Sequence, residues 1–163
     1  MYINESSANE LYRSAVAAFP NTTKRQHATD PVRIVQLDWT PFLGLKTLLI
    51  RGTAVNEGRT YKPMVLFKQV RYGEGINLRA NDGKDYQLKP LSAENNDILI
   101  RCDCKDFHWR FNYYDHLDHS LYGRKRAEYV SQGGPPANPL ELPGMCKHLM
   151  KMLLALRDAE LLL

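Results

Sequence analysis

The placement of three cysteines constrains this chain more than any other feature. They stand with one histidine in two tight pairs, Cys102-Asp103-Cys104 and Cys146-Lys147-His148. A disulfide would leave one thiol over, and Cys/His clustering of this kind reads as metal binding. Zinc takes four such ligands at tetrahedral corners, with sulfurs roughly 3.8 Å apart for a Zn–S length of ~2.3 Å. On a strand, residues i and i+2 share a face about 6.6 Å apart, so a modest bend brings Cys102 and Cys104 to one ion. Cys146 and His148 would lie about 200° apart around a helix. That pair must therefore straddle a helix start, with Cys146 just before it and His148 in the first turn. Pro143-Gly144 supplies the chain break, and the positive helix end favours a Cys146 thiolate. The expectation is one structural zinc held by Cys102, Cys104, Cys146 and His148. Such a set leaves no open position, which argues against catalysis by the metal. Two alternatives remain: buried free thiols beside an incidental histidine, or His108, His116 or His119 replacing one ligand.

The rest of the chain reads as α+β. Leu11, Ala15 and Ala18 fall near helical spacing, so residues 1–20 form a short helix ended by Pro20-Asn21. Residues 21–31 form an extended polar connector. β-branched and aromatic runs then predict strands over 32–39, 45–53, 61–72, 76–80, 85–88 and 97–102. Asn81-Asp82-Gly83 marks a hairpin, because Asp-Gly accepts the positive φ of a tight turn. The reading is an N-terminal helix and arm over 1–31 and an antiparallel β-sandwich or partial barrel over 32–101. A zinc-stabilised β-hairpin with a C-terminal helix follows over 102–163. In the last helix, over 146–161, Leu149, Met152, Leu153 and Leu156 share one face.

Between the ligand pairs, Phe107, Trp109, Phe111 and Tyr113 alternate with His108, Arg110, Asn112 and Tyr114. Period two predicts a strand with the first four on one face. That face either packs the core beside the metal or stacks nucleobases next to Arg110. Residues 115–144 are polar and then Gly/Pro-rich, an irregular loop of a length associated with partner contacts.

The formal net charge is +4. Between Thr40 and Tyr72, Lys46, Arg51, Arg59, Lys62, Lys68 and Arg71 oppose Glu57 alone, six against one or +5. Residues 101–151 carry eight basic and six acidic groups, or +2. These charges either decorate the wet face of a sheet or bind phosphate. The candidate nucleic-acid or partner contacts are Arg51, Lys62, Lys68, Arg71, Arg110, Arg124, Lys125 and Arg126. No apolar run is long enough to span a bilayer, and Met1-Tyr2-Ile3-Asn4-Glu5 does not read as a secretion signal. No Gly-rich phosphate loop, His-Glu-x-x-His or Gly-x-Ser-x-Gly occurs. The His-x-Glu and Pro-Cys-x-x-Cys pair of zinc deaminases is missing too. Asp103 and Asp106 flank the cluster and are expected to make turn and solvent contacts. The chain is therefore expected not to be an enzyme and to have no small-molecule substrate.

Cys102-x-Cys104 followed by Cys146-x-His148 resembles the SWIM-type zinc finger, and Leu149-Met150 resembles the apolar start of that family's helix. The resemblance covers residues 100–160 and implies a zinc-stabilised ββα unit. The 41-residue spacer (105–145) is longer than is usual for the family. SWIM modules are associated with DNA binding and with protein–protein contacts. A second resemblance, to small proteins of tailed bacteriophages, is carried by 101–107, Arg110-Phe111, Asn138-Pro139, 144–149 and 18–26. It implies a phage protein of unassigned or virion-structural type, made in the host cytoplasm and carried in the virion. The leading expectation is thus a structural or assembly protein whose partners are other protein chains, and the alternative is a DNA-binding protein. The apolar tip Leu161-Leu162-Leu163 is expected to prefer a partner surface to water.

Overall fold

The computed structural model of the chain describes residues 6–19, 29, 31–126 and 137–163. Apart from Thr29 and Pro31, the connector expected over 21–31 lies outside the described residues, as does the 131–136 part of the Gly/Pro-rich loop.

Helix α1 (Ala8–Ala18) starts at a capping box. The Ser7 hydroxyl accepts the Glu10 N–H while the Glu10 carboxylate accepts the Ser7 N–H, so two orphan amides of the first turn are satisfied reciprocally. Ala8, Leu11, Ala15 and Ala18 form its buried face.

Strands β1 (Arg33–Phe42), β2 (Thr47–Asn56), β3 (Arg59–Tyr61), β4 (Met64–Phe67) and β7 (Ile98–Arg101) build an antiparallel sheet of order β1-β2-β4-β7, with β3 also pairing β2. Strands β5 (Tyr72–Arg79) and β6 (Asp85–Leu88) form a separate hairpin across the Asn81-Asp82-Gly83 turn. The run expected as one strand over 61–72 is divided. Pro63 has no N–H to give a ladder, and its carbonyl accepts the Gly52 N–H. Gln69 then turns the chain at a φ of 54°.

The sheet is open rather than closed into a barrel, and each edge is met by the chain's own loops at a few residues. On β1, Trp39 gives its N–H to the Asn81 side chain and its carbonyl accepts the Asn81 N–H. On β7, the Ile98 and Ile100 amides donate to Ser6 and Ser120. Exposed edges are templates for unwanted strand pairing, and here, among the described residues, loops bond both residues of the β7 edge just named but only Trp39 of β1.

The inner sheet face carries Leu48, Ile50, Val65, Phe67, Ile98 and Ile100. They belong to one buried cluster with residues of α1, the β5–β6 hairpin and the C-terminal region. Two further helical pieces complete the fold. A π-helical turn, Phe107–Phe111, runs directly into α2 (Asn112–Leu117), and α3 spans Lys147–Asp158. The aromatic stretch is therefore helical, not a strand, and among the described residues no strand element follows the first cysteine pair. Phe107, Phe111 and Asp115 are spaced by four and fully buried, whereas Trp109 is 44% exposed. Spacing by four satisfies a helix face as well as it satisfies period two, and the exposure of Trp109 separates the two readings.

The chain's last residues also differ from expectation. Leu161 and Leu162 are buried in the molecule's own core, and only Leu163 is exposed. The segment is tied to Leu91 and Ala93 through backbone bonds from Leu91 to Leu161, Ala93 to Leu163 and Leu163 to Leu91. Burial of two leucines at home removes the apolar drive of that tip toward a partner.

Candidate metal centre

The four predicted ligands converge. One candidate donor atom from each of Cys102, Cys104, Cys146 and His148 lies within 4.8 Å of every other, and all four residues are buried. Each is delivered by a different feature. Cys102 follows the last residue of β7. Cys104 opens the helical stretch that begins at Lys105, its carbonyl accepting the His108 N–H and its Sγ accepting the Phe107 N–H at 3.3 Å. The Cys-x-Cys pair is thus a strand-to-helix turn, not two positions on one strand face. The intervening Asp103 accepts the Lys62 N–H at 2.8 Å, tying the turn to the β3–β4 link.

The second pair follows the geometry its spacing demands. Cys146 is the N-cap of α3, with extended backbone (φ −82°, ψ 170°), and His148 sits in the first turn. The Nδ1 atom of His148 faces the sulfurs, 3.9 Å from Sγ of both Cys102 and Cys146. Its ring stacks on Tyr61 of β3 at 4.2 Å between centroids and 28° between planes. On the far side of the ring, Nε2 is buried without a protein hydrogen-bond partner. The Phe107 amide thus meets the Cys104 sulfur and Cys146 stands at the N-terminus of α3, and the positive ends of helices stabilise thiolates.

Charge is shared unequally among the thiols. Hydrogen bonds from Cys102 and then Cys146 hold the Cys104 thiol far below its ordinary range, helped by His148 and the Phe107 amide. The same contact with Cys104 pushes Cys102 well up, and burial pushes Cys146 well up. A cation at the centre would replace this proton sharing, because a metal-bound thiol is deprotonated.

The residues fit a metal by donor chemistry and by spacing. Tetrahedral zinc, with Zn–S of ~2.3 Å and Zn–N of ~2.0–2.1 Å, sets S···N edges of about 3.6 Å, a few tenths of an ångström shorter than the 3.9 Å sulfur–nitrogen separations here. All three cysteines are free thiols, so none is consumed by a disulfide. A buried three-cysteine, one-histidine cluster that could hold one metal ion is the principal site among the described residues. His108, His116 and His119 do not replace a ligand. All three are exposed, His108 lying edge-on to Trp109 and His116 tilted against Tyr113. Asp106 pairs with Arg110 at 2.9 Å instead of reaching the cluster.

The predicted basic contacts divide into two sets. Arg51 is exposed on β2, directly opposite Asp38 of β1. Lys62 precedes β4 and bonds Thr53, while Lys68 and Arg71 follow β4, so the sheet cations stand at opposite ends of one strand. By contrast, Arg124, Lys125 and Arg126 lie beside the helical stretch. Lys125 sits over the Tyr113 ring at 5.8 Å and Arg126 over Trp109 at 4.7 Å, while Arg110 covers Phe19 at 4.7 Å.

Sequence reasoning did not find the polar supports of the cluster. Asp115 is fully buried and accepts the Gly144 N–H at 2.7 Å, just upstream of Cys146. Asn138, also buried, donates to the carbonyls of Arg110 and Leu142, which packs the 138–142 part of the loop onto the π-turn. A lone Asp or Asn in a polar stretch carries no signal that distinguishes such a support from a solvated residue.

Comparison with protein-family models, curated proteins and solved structures finds no match for this chain. No helix among the described residues is long and apolar enough to cross a membrane.

Proposed function

We propose that this chain is a non-enzymatic structural protein in which one zinc ion of the SWIM type fixes the fold of a binding surface. The reading rests on the closed, buried ligand set of Cys102, Cys104, Cys146 and His148. Three thiolates and an imidazole suit tetrahedral zinc and leave no position for a reacting water or substrate.

The proposed partners are other protein chains of an assembly. The exposed apolar surface includes the β1–β2 turn, where Phe42, Leu43 and Leu45 are exposed and Leu45 is 75% so. The resemblance to tailed-bacteriophage proteins makes a virion the proposed setting.

The first test is elemental analysis of natively purified protein. One zinc per chain is expected, and Cys146→Ser should lose the metal. Well under one zinc, with the thiols free to react, would overturn the reading. X-ray absorption should return three sulfurs and one nitrogen, and a zinc-bound water in that shell would refute the non-enzymatic assignment. For the assembly role, the β1–β2 turn should lie within an interface burying more than ~1,000 Å² in the native complex. A freely exposed turn there would refute it.

A further inference from the structure

The helical stretch after Cys104 presents a surface unlike the rest of the molecule. Phe107 and Phe111 turn inward, while His108 and Trp109 face outward and Tyr113 is half-buried. The turn is π-helical, with the Asn112 N–H reaching back five residues to the Phe107 carbonyl. Wide turns of this kind are rare and concentrate at functional sites. Alongside run Gly123 to Arg126, with the Arg126 guanidinium over Trp109 and the Lys125 ammonium over Tyr113.

This cationic segment is held in place. Arg101 Nη1 donates to the carbonyls of Tyr122 at 3.1 Å and Arg124 at 2.7 Å. The Arg126 N–H donates to the buried Asn112 side chain at 2.8 Å. The charge is one-sided as well. Within 105–126, Lys105, Arg124 and Lys125 are exposed and no carboxylate is. Asp106 pairs with Arg110, Asp118 accepts from Ser6 and Ser120, and Asp115 is buried.

We propose that this face binds single-stranded nucleic acid, with bases stacking at Trp109 and Tyr113 and phosphates meeting Arg124, Lys125 and Arg126. Aromatic platforms interleaved with cations are the means by which proteins hold unpaired strands. The two rings are four residues apart, an advance of about 6 Å along a helix, which suits neighbouring bases of an extended strand. Stacked duplex bases offer no free faces to these rings. The sheet cations Arg51, Lys62, Lys68 and Arg71 lie on β2 or flank β4, and they take no part in the proposed contact. This role goes beyond the structural reading of the metal and does not depend on which assembly the chain joins.

The test uses the full zinc-loaded chain and a fluorescent oligothymidine, read by anisotropy, with a duplex of equal length as comparison. Expected is salt-dependent binding that favours the single strand. Trp109→Ala should weaken it roughly five- to hundredfold, the span of one lost base stack, and Trp109→Phe should restore part of it. Lys125→Glu should weaken binding and flatten its salt slope, since each lost phosphate contact removes about 0.7 from the single-strand slope. Arg51→Glu on the sheet should leave affinity unchanged. Retained zinc and melting temperature in each variant separate these effects from misfolding. Absent binding, equal binding to duplex, indifference to Trp109→Ala, or full competition by polyglutamate would overturn the proposal, the last by making this an acidic-peptide site.

Discussion

The sheet half of the core and the ligand corner are packed to similar dryness by different means. In the sheet, Leu48, Ile50, Val65, Phe67, Ile98 and Ile100 are at most 1% exposed and wholly apolar, so their burial needs no partner chemistry. In the corner, Cys102, Cys104, Cys146, His148, Asn112, Asp115 and Asn138 are buried to nearly the same degree, and every one carries a group that must be satisfied. The lesson concerns linkage. The sheet's side-chain core needs only apolar area, whereas the corner needs hydrogen bonds, protons and, on the proposed reading, a metal.

Chelation should break the comparison open most widely. Structural zinc contributes about 10–16 kcal/mol of apparent binding energy in small modules, far more than any single contact here. Removing the metal is expected to expose the amides of 102–117 and 145–158 to rapid hydrogen exchange while β2 and β4 stay protected. Uniform loss of protection across both halves would mean that the corner and the sheet form one cooperative unit. Undiminished protection in the corner would mean that the apolar packing of Phe107, Phe111 and Met145 suffices without metal.

The two halves were also unequally legible in the sequence, for the same physical reason. Ligand spacing is a local signal: Cys-x-His cannot lie within one helix, so Cys146 had to become a cap, and it did. The apolar stripe of α3 and the Asp-Gly hairpin were readable on the same local grounds. The box Ser7-Ala8-Asn9-Glu10 was also present in the sequence and would have placed the start of α1 within a residue. What stayed hidden was tertiary. Residues 107–113 satisfy both a strand and a helix pattern, and only the buried Asp115, four residues beyond Phe111, extends the helical one. An aspartate does not announce itself as a core residue. The burial of Leu161 and Leu162 depends on Leu91, seventy residues earlier, to which no local pattern points.

A smaller effect should come from the packing of the corner against α1. A Cβ added at Gly144 would stand 2.6 Å from Phe111 Cε1 and 2.8 Å from the Ala15 Cβ. Neither neighbour is the loose end of a flexible side chain. Gly144→Ala is expected to cost about 1–3 kcal/mol by overpacking, seen as a lowered melting temperature with zinc still bound. Gly44→Ala, where a Cβ meets nothing within 4 Å, is the control and should be nearly neutral. Equal effects at both positions would show that α1 and the π-turn yield easily, and that the corner is looser than the sheet.

The smallest expected effect is a pH dependence traceable to one carboxyl. Burial pushes Asp115 well above the ordinary carboxyl range, Asp118 adds to the rise, and the Gly144 N–H opposes it. Its Oδ1 accepts that N–H, and Oδ2 is buried with no hydrogen-bond partner among the described residues. In the unfolded chain the same group ionises near pH ~4. Between that pH and its raised native value the unfolded state releases a proton that the native state keeps, so stability falls as pH rises through the window. Asp115→Asn keeps a carbonyl oxygen for the Gly144 N–H and cannot ionise, so this slope should vanish. Because zinc affinity strengthens with pH as thiols deprotonate, the informative quantity is a difference. Wild-type and Asp115→Asn proteins, both saturated with zinc, should be melted in denaturant across pH 5–8. The wild type is expected to lose ground to the variant steadily as pH rises. A difference that stays flat would mean that Asp115 is ionised in the native state, with a counter-charge reaching it inside the corner. The corner would then be held by charge pairing, and its contrast with the sheet would be sharper still.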